Sequence, residues 1–193
     1  MTIKICGIND AAFAAEAVRL GVDYLGFIFE PSSPRFVTVD RAAELAAALS
    51  AAPRRVRLVG VFVSQTADEI VSTMRKARLD VVQLHRRALE SDVAELKAAG
   101  FEVWTLAGGA HGDGVLFDSS HGDGEKSFSR LSCKTILAGK IGADNLAEAV
   151  ALGPDVVDVN SSLELSPGRK SVRLLKAFME KMSVYQKNNW VAD

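Results

Sequence analysis

Short β-branched runs alternate with helix-like segments along almost the whole of this 193-residue chain. Such alternation points to parallel strands joined by crossover helices, because each parallel connection needs a segment long enough to return. Ile3 to Gly7 reads as strand 1, and Asp10 caps a helix from Ala11 to Leu20. Tyr24 to Phe29 is strand 2, an apolar run of the kind buried on both faces. Asp40 is expected to open helix 2, with Ala42, Leu45, Ala46 and Leu49 on one face. Val56 to Val63 is strand 3, and Thr66 with Glu69 forms a capping box for helix 3. Val81 to His85 is strand 4, Glu90 to Ala99 helix 4 and Glu102 to Leu106 strand 5. The segment AGGAHGDG (107–114) has four glycines in eight residues and does not read as a helix. Strand 6 follows directly at Val115 to Asp118. Ser119 to Ser127 is a polar loop, with at most a turn of helix near Phe128 to Leu131. Thr135 to Gly139 is strand 7, Asp144 to Leu152 helix 7, Val156 to Asn160 strand 8 and Ser171 to Met182 helix 8. This order predicts a single-domain α/β chain, an eight-stranded (β/α)8 barrel over residues 1–182, with helix 5 missing or replaced by a loop. Ser183 to Asp193 is expected to be a polar C-terminal tail. A dinucleotide-binding doubly wound sheet is disfavoured, because GxGxxG is absent after strand 1.

Composition narrows the function classes. Net charge is −1, so no bulk electrostatic case exists for nucleic acid or an anionic membrane. Apolar runs fall far short of the ~20 residues of a spanning helix. The two cysteines, Cys6 and Cys133, are distant in sequence, and the chain has no CxxC or HxxxH spacing. A disulfide framework and a structural zinc site are therefore not expected, and a reducing cytoplasm is the default compartment.

Polar residues gather where the strands end. Alternate residues of a barrel strand point inward, which places Lys4, Cys6, Gln83, His85, Asp118, Asp158 and Asn160 inside. All strands run toward the end where barrel active sites lie. Cys6 and Asp118 then face each other across one mouth, as a proton acceptor and a proton donor should. Most free cysteines are simply small buried hydrophobes. Lys4 behind Cys6 distinguishes it, since an ammonium is expected to draw a thiol pKa from ~8.5 toward neutrality. Cys133 lies away from the strand ends and reads as structural. His85 is expected to orient a neighbour, and His111 and His121 to be solvated. Arg35, on the Ser-Pro-Arg turn after strand 2, suits bidentate recognition of a carboxylate. The turns Leu137-Ala138-Gly139-Lys140 and Asn160-Ser161-Ser162 end strands 7 and 8, where barrels commonly bind phosphate. A small phosphorylated molecule is the expected partner, and a monomer or weak homodimer the expected assembly.

The stretches KICGI (4–8), LGFIF…SPRFV (25–37), VGVFV (59–63), VQLH (82–85), LFDS (116–119), LAG (137–139) and DVNSSLE…PG (158–168) occur in the order found in phosphoribosylanthranilate isomerases. The chain resembles that family over almost its whole length. The resemblance implies an Amadori rearrangement in tryptophan biosynthesis, with no cofactor and no metal. It implies Asp118 as general acid, Cys6 as general base and Arg35 as the anthranilate carboxylate clamp. His85, Asp158 and the turns with Gly139, Lys140, Asn160, Ser161 and Ser162 complete the implied substrate site. Departures cluster near the phosphate. Arg86 and Arg87 follow QLH, Lys140 and Ser162 stand where the family usually has glycine, and Ser171 replaces the usual aspartate after Pro167-Gly168-Arg169-Lys170. The loop after strand 6 also differs, reading Gly122-Asp123-Gly124-Glu125. Two other functions compete: a histidine-pathway sugar-phosphate isomerase, disfavoured because Cys6 stands where such enzymes carry an aspartate, and a non-catalytic barrel that binds a phosphorylated ligand.

Overall fold

The computed structural model describes residues 1–52, 54–119 and 131–188. The polar loop expected from Ser119, the helical turn expected near Phe128 and the residue His121 fall almost entirely outside them. Eight parallel strands close into a barrel: β1 (Thr2–Ile5), β2 (Tyr24–Ile28), β3 (Arg57–Phe62), β4 (Val81–Leu84), β5 (Glu102–Leu106), β6 (Gly114–Asp118), β7 (Lys134–Ala138) and β8 (Val156–Val159). Around it lie α1 (Ala11–Arg19), α2 (Val39–Leu49), α3 (Ala67–Ala77), α4 (Glu90–Ala98), α5 (Leu146–Ala151) and α6 (Val172–Asn188). The glycine-rich segment between β5 and β6 forms no helix, as its composition predicts. A two-stranded hairpin, β9 (Glu164–Ser166) and β10 (Arg169–Lys170), precedes α6.

Helix boundaries differ from expectation at three places, one of them α5, which begins at Leu146 rather than Asp144. Thr38 rather than Asp40 caps α2: its backbone is extended and its hydroxyl accepts the Arg41 N–H at 3.2 Å. Asp40 lies inside the first turn, where its charge suits the helix dipole. The last helix does not stop at Met182 but runs to Asn188. Nothing between those residues breaks a helix, and Tyr185 still packs on the core. Asp10 caps α1 through the Phe13 N–H at 2.6 Å, and the Thr66–Glu69 capping box is formed.

The period-2 pattern sorts the strand side chains into two cores. Outward residues such as Ile3, Ile5, Leu25, Phe27, Val82 and Val157 pack under the helices. Inward residues, including Cys6, Val59, Val81, Trp104, Leu116 and Ile136, fill the barrel. Trp104 is fully buried there, with Tyr24 edge-on at 5.0 Å.

The N-terminal end of the barrel is closed by a device used four times. An aspartate stands immediately before each even strand: Asp23, Asp80, Asp113 and Asp155. Their carboxylates accept the N–H groups of Ile3, Leu58, Val103 and Thr135 at 2.8, 2.8, 2.9 and 2.8 Å. Their own N–H groups return to the carbonyls of the same four residues, at 3.0, 2.8, 2.7 and 2.9 Å. Each odd strand is thus pinned at its start to the next even strand by a ring of two hydrogen bonds. Below Trp104, Glu102 accepts from the Trp104 indole at 2.6 Å and Lys134 at 2.8 Å, and pairs with Arg57. Burial disfavours the Glu102 charge, but Lys134, Arg57 and Trp104 outweigh it and hold the carboxyl down at about 2. Both sets lie at the face of such barrels that serves stability rather than chemistry.

Candidate active site

At the opposite, C-terminal face, a cavity of about 360 Å³ opens between the strand ends. That volume is within the range of sites for small organic molecules. Cys6 lines it from the end of β1, His85 from β4 and Asp118 from β6. Arg35 reaches it from the loop after β2, Gly139 and Lys140 from the turn after β7, and Asp158, Asn160 and Ser161 from β8 and its turn. Nine of the ten residues singled out from the sequence therefore share one cavity. The exception is Ser162. Its hydroxyl donates to the Ile141 carbonyl, and its Cβ packs where a side chain on Gly142 would stand. Ser162 does not line the cavity; it joins the turn after β8 to the turn after β7.

Cys6 is 6% exposed and sits above the fully buried Lys4. The expectation that Lys4 makes this thiol acidic fails. Burial is the largest influence on Cys6 and pushes its pKa up past the counteracting Lys4 charge. Lys4 is engaged elsewhere: its Nζ donates to Asp158 Oδ2 at 2.6 Å, inside the barrel. Burial opposes the Lys4 charge, yet Asp158 and the Cys6 sulfur together keep its pKa above the ordinary lysine value. The second Asp158 oxygen and the Gln83 amide oxygen are buried without a hydrogen-bond partner. Polar atoms left in that condition at a cavity wall are suited to a ligand or water.

His85 Nε2 lies 3.6 Å from Asp118 Oδ2. Cys133 is partly buried against the outer core, and His111 is exposed in its loop. Arg86, the departure after QLH, turns away from the cavity and pairs with Asp92 at 2.7 Å in the first turn of α4. Lys140 keeps a positive φ of 53° without being glycine. Gly7 needs its positive φ of 75°, and any Cβ there would approach Arg35 Cδ to 2.9 Å and Asn160 Oδ1 to 3.1 Å.

The loop that carries Arg35 is fixed by local bonds. Ser33 N–H donates to the Glu30 carbonyl at 3.0 Å, and Arg35 N–H to Ser33 Oγ at 3.1 Å. The guanidinium is held by Glu164, Nε to Oε1 at 2.8 Å and Nη2 to Oε2 at 2.7 Å. Neither Glu164 nor its neighbour Lys170 was singled out from the sequence. Their only local signal is a Glu and a Lys flanking the Pro167-Gly168 turn, which fits a hairpin. Among the described residues no three His, Cys, Asp or Glu side chains converge as metal ligands. A larger groove of about 680 Å³ lies at the other end of the molecule, between α2 and α3. Of its cations Arg54, Arg55, Lys76 and Arg78, the first three are paired with Asp23, Asp80 and Asp40.

A closed parallel barrel whose ionisable side chains meet in a cavity at the C-terminal mouth defines the class: a (β/α)8-barrel enzyme. Known proteins narrow it. The family model described as N-(5'phosphoribosyl)anthranilate (PRA) isomerase matches residues 3–181, and the chain belongs to that family, the isomerases of tryptophan biosynthesis. It is 35% identical to N-(5'-phosphoribosyl)anthranilate isomerase of Granulibacter bethesdensis, over 92% of this chain and 95% of that one. A crystal structure of phosphoribosyl anthranilate isomerase from Thermus thermophilus superposes with a TM-score of 0.83, at 29% identity, covering 96% of this chain and 100% of that one. A phosphoribosyl anthranilate isomerase solved with reduced 1-(o-carboxyphenylamino)-1-deoxyribulose 5-phosphate matches with a TM-score of 0.79, at 26% identity, covering 95% and 99%.

Proposed function

We propose that the chain converts N-(5-phosphoribosyl)anthranilate to 1-(2-carboxyphenylamino)-1-deoxyribulose 5-phosphate, with Asp118 as general acid and Cys6 as general base. The observation that carries the residue roles is the placement of Cys6 and Asp118 at the ends of β1 and β6, non-adjacent strands that line one cavity. Asp118 donates a proton to the ribose ring oxygen as the C1–O bond breaks, and the nitrogen lone pair forms the C1=N iminium. Cys6 removes the C2 proton, leaving an enolamine. Transfer of the enol proton to C1 then yields the ketone. The thiol proton returns to the Asp118 carboxylate or to solvent, so protons balance over the cycle. The iminium places positive charge beside the sulfur and opposes the effect of burial on the thiol. Arg35 holds the anthranilate carboxylate, and the turns at Gly139–Lys140 and Asn160–Ser161 hold the phosphate through backbone N–H groups and the Lys140 charge. His85 orients Asp118, and Asp158 with its unpartnered oxygen faces the ribose.

Support for a cytoplasmic monomer or weak homodimer is more general. Both cysteines are unpaired, no described helix is long and apolar enough to cross a membrane, and among the described residues the exposed large apolar side chains, Phe36, Leu89, Leu152, Leu165 and Val184, are well separated along the chain.

The test follows the fall of anthranilate fluorescence with freshly generated substrate. Cys6→Ala and Asp118→Asn should each lower kcat by about 10²–10⁴-fold while the protein stays folded. Arg35→Ala should act mainly on KM. Wild-type turnover in either of the first two variants would remove that residue from the mechanism, and an inert wild type that still binds a product analogue would leave a binding protein.

A further inference from the structure

Two buried charges beside the cavity have no role in the chemistry above. Glu164 on β9 and Lys170 on β10 face each other across the hairpin, with side chains only 4% and 1% exposed. Charges are placed so deeply only where they are fully paired. Lys170 Nζ donates to the Asn160 carbonyl at 3.0 Å, Asn160 Oδ1 at 2.7 Å and Glu164 Oε1 at 3.0 Å. Those three acceptors match the three N–H bonds of an ammonium. Glu164 in turn grips Arg35 through Nε and Nη2. A guanidinium has five N–H bonds, so both on Nη1 and one on Nη2 remain. These form the end-on fork, which suits a second carboxylate. Glu164 therefore occupies one side of Arg35 and leaves a bidentate face for a ligand.

The same hairpin is locked to the rest of the mouth. Gly168, at φ +80°, lets the turn lie so close to the Pro34 carbonyl that a Cβ would come within 2.5 Å. Asn9 Nδ2 donates to the Gly168 carbonyl at 2.8 Å. Lys170 thus reaches the strand-8 turn directly, through Asn160, and the carboxylate clamp through Glu164. Burial opposes the Glu164 charge, but Arg35 and Lys170 hold its carboxyl below the usual range, while burial draws the Lys170 ammonium below the ordinary lysine value against the pull of Glu164.

We propose that Glu164 and Lys170 are positioning residues that set the distance between the Arg35 fork and the phosphate turn after β8, and so select substrates by the separation of carboxylate from phosphate. This rests on the substrate assignment above. The test compares binding of reduced 1-(o-carboxyphenylamino)-1-deoxyribulose 5-phosphate with that of the same compound lacking the carboxylate. Wild type should prefer the carboxylated form by about 10–100-fold, the range of a charged hydrogen-bonded contact. Glu164→Gln should abolish most of that preference and leave binding of inorganic phosphate unchanged. Lys170→Met should weaken both carboxylate preference and phosphate binding, because it releases both ends of the link. If Glu164→Gln is poorly folded, Glu164→Asp keeps the charge, displaces the fork, and should lower the preference part-way. A preference that survives in a folded Glu164→Gln, or one that grows because Glu164 had been competing for Arg35, overturns the proposal. A wild type with no carboxylate preference would instead refute the Arg35 assignment, and the positioning role would fall with it.

Discussion

Cys6 shows how far a residue's chemistry depends on what surrounds it. Its neighbour Lys4 suggests an acidic thiol, but the Lys4 charge is shared with Asp158 at 2.6 Å and the sulfur is buried. Burial raises its pKa from 9.0, so the free enzyme holds a thiol at neutral pH. For a base the active form is the deprotonated one. Asp118 must at the same time carry the proton it donates, so the active form of the pair holds one proton. The kcat/KM of the wild type should therefore fall only as pH rises past the raised Cys6 value, above about pH 9, and a fall that begins below pH 7 would contradict this placement. Lys140 poses a different question. A non-glycine residue in the left-handed region costs on the order of 1 kcal/mol, whereas glycine there loses about 0.5–1 kcal/mol through the unfolded chain. Lys140→Gly should consequently leave Tm unchanged or slightly higher while raising KM, since the proposed phosphate contact would be lost. A clear drop in Tm would mean that the lysine side chain supports the fold.

At the scale of elements, the repeated aspartate before β2, β4, β6 and β8 explains how short strands of four to six residues close without slipping. Register is fixed at the strand starts by side chain to backbone bonds that a shifted strand would lose. Asp80→Ala would leave the Leu58 N–H without its acceptor and should destabilise the barrel by about 1–3 kcal/mol, measured by urea unfolding, with kcat unchanged because the site lies at the other face. The aspartates are visible in the sequence as VDY, LDV, GDG and PDV, each just ahead of a strand. Their partners are not, because Ile3 and Asp23 or Leu58 and Asp80 meet only when consecutive strands align. Helix boundaries show the same division. Thr38 and Asp40 are both good caps by residue type, and the extended backbone of Thr38 decides between them. Met182 ends the strongly apolar stripe of α6, yet backbone hydrogen bonding continues to Asn188.

The whole molecule separates stability from chemistry by placing them at opposite ends of one barrel. Glu102 anchors the stable end. Its folded pKa of about 2 lies below the unfolded value of 4.5. Such a depressed carboxyl contributes stability that is fully present above the unfolded value and is lost as pH falls toward the folded one. The Glu102→Gln variant should be less stable than wild type at pH 7 by about 2 kcal/mol, and this gap should close between pH 4.5 and pH 2. A gap that persists at pH 2 would show that shape rather than charge is at work. The sequence by itself determined the parallel barrel, the absent helix after β5 and nine residues that meet at its mouth. These follow from local properties: the period of two in each strand, the density of glycine in one loop, and the shared direction of parallel strands. Tertiary structure decided what those residues face. Arg35 and Glu164 lie 129 positions apart, and no local pattern marks them as a pair. Ser162 has the right place in the chain, but its hydroxyl is taken by Ile141. The acidity of Cys6 follows from a contest between burial and charge, and both quantities exist only once the barrel has closed.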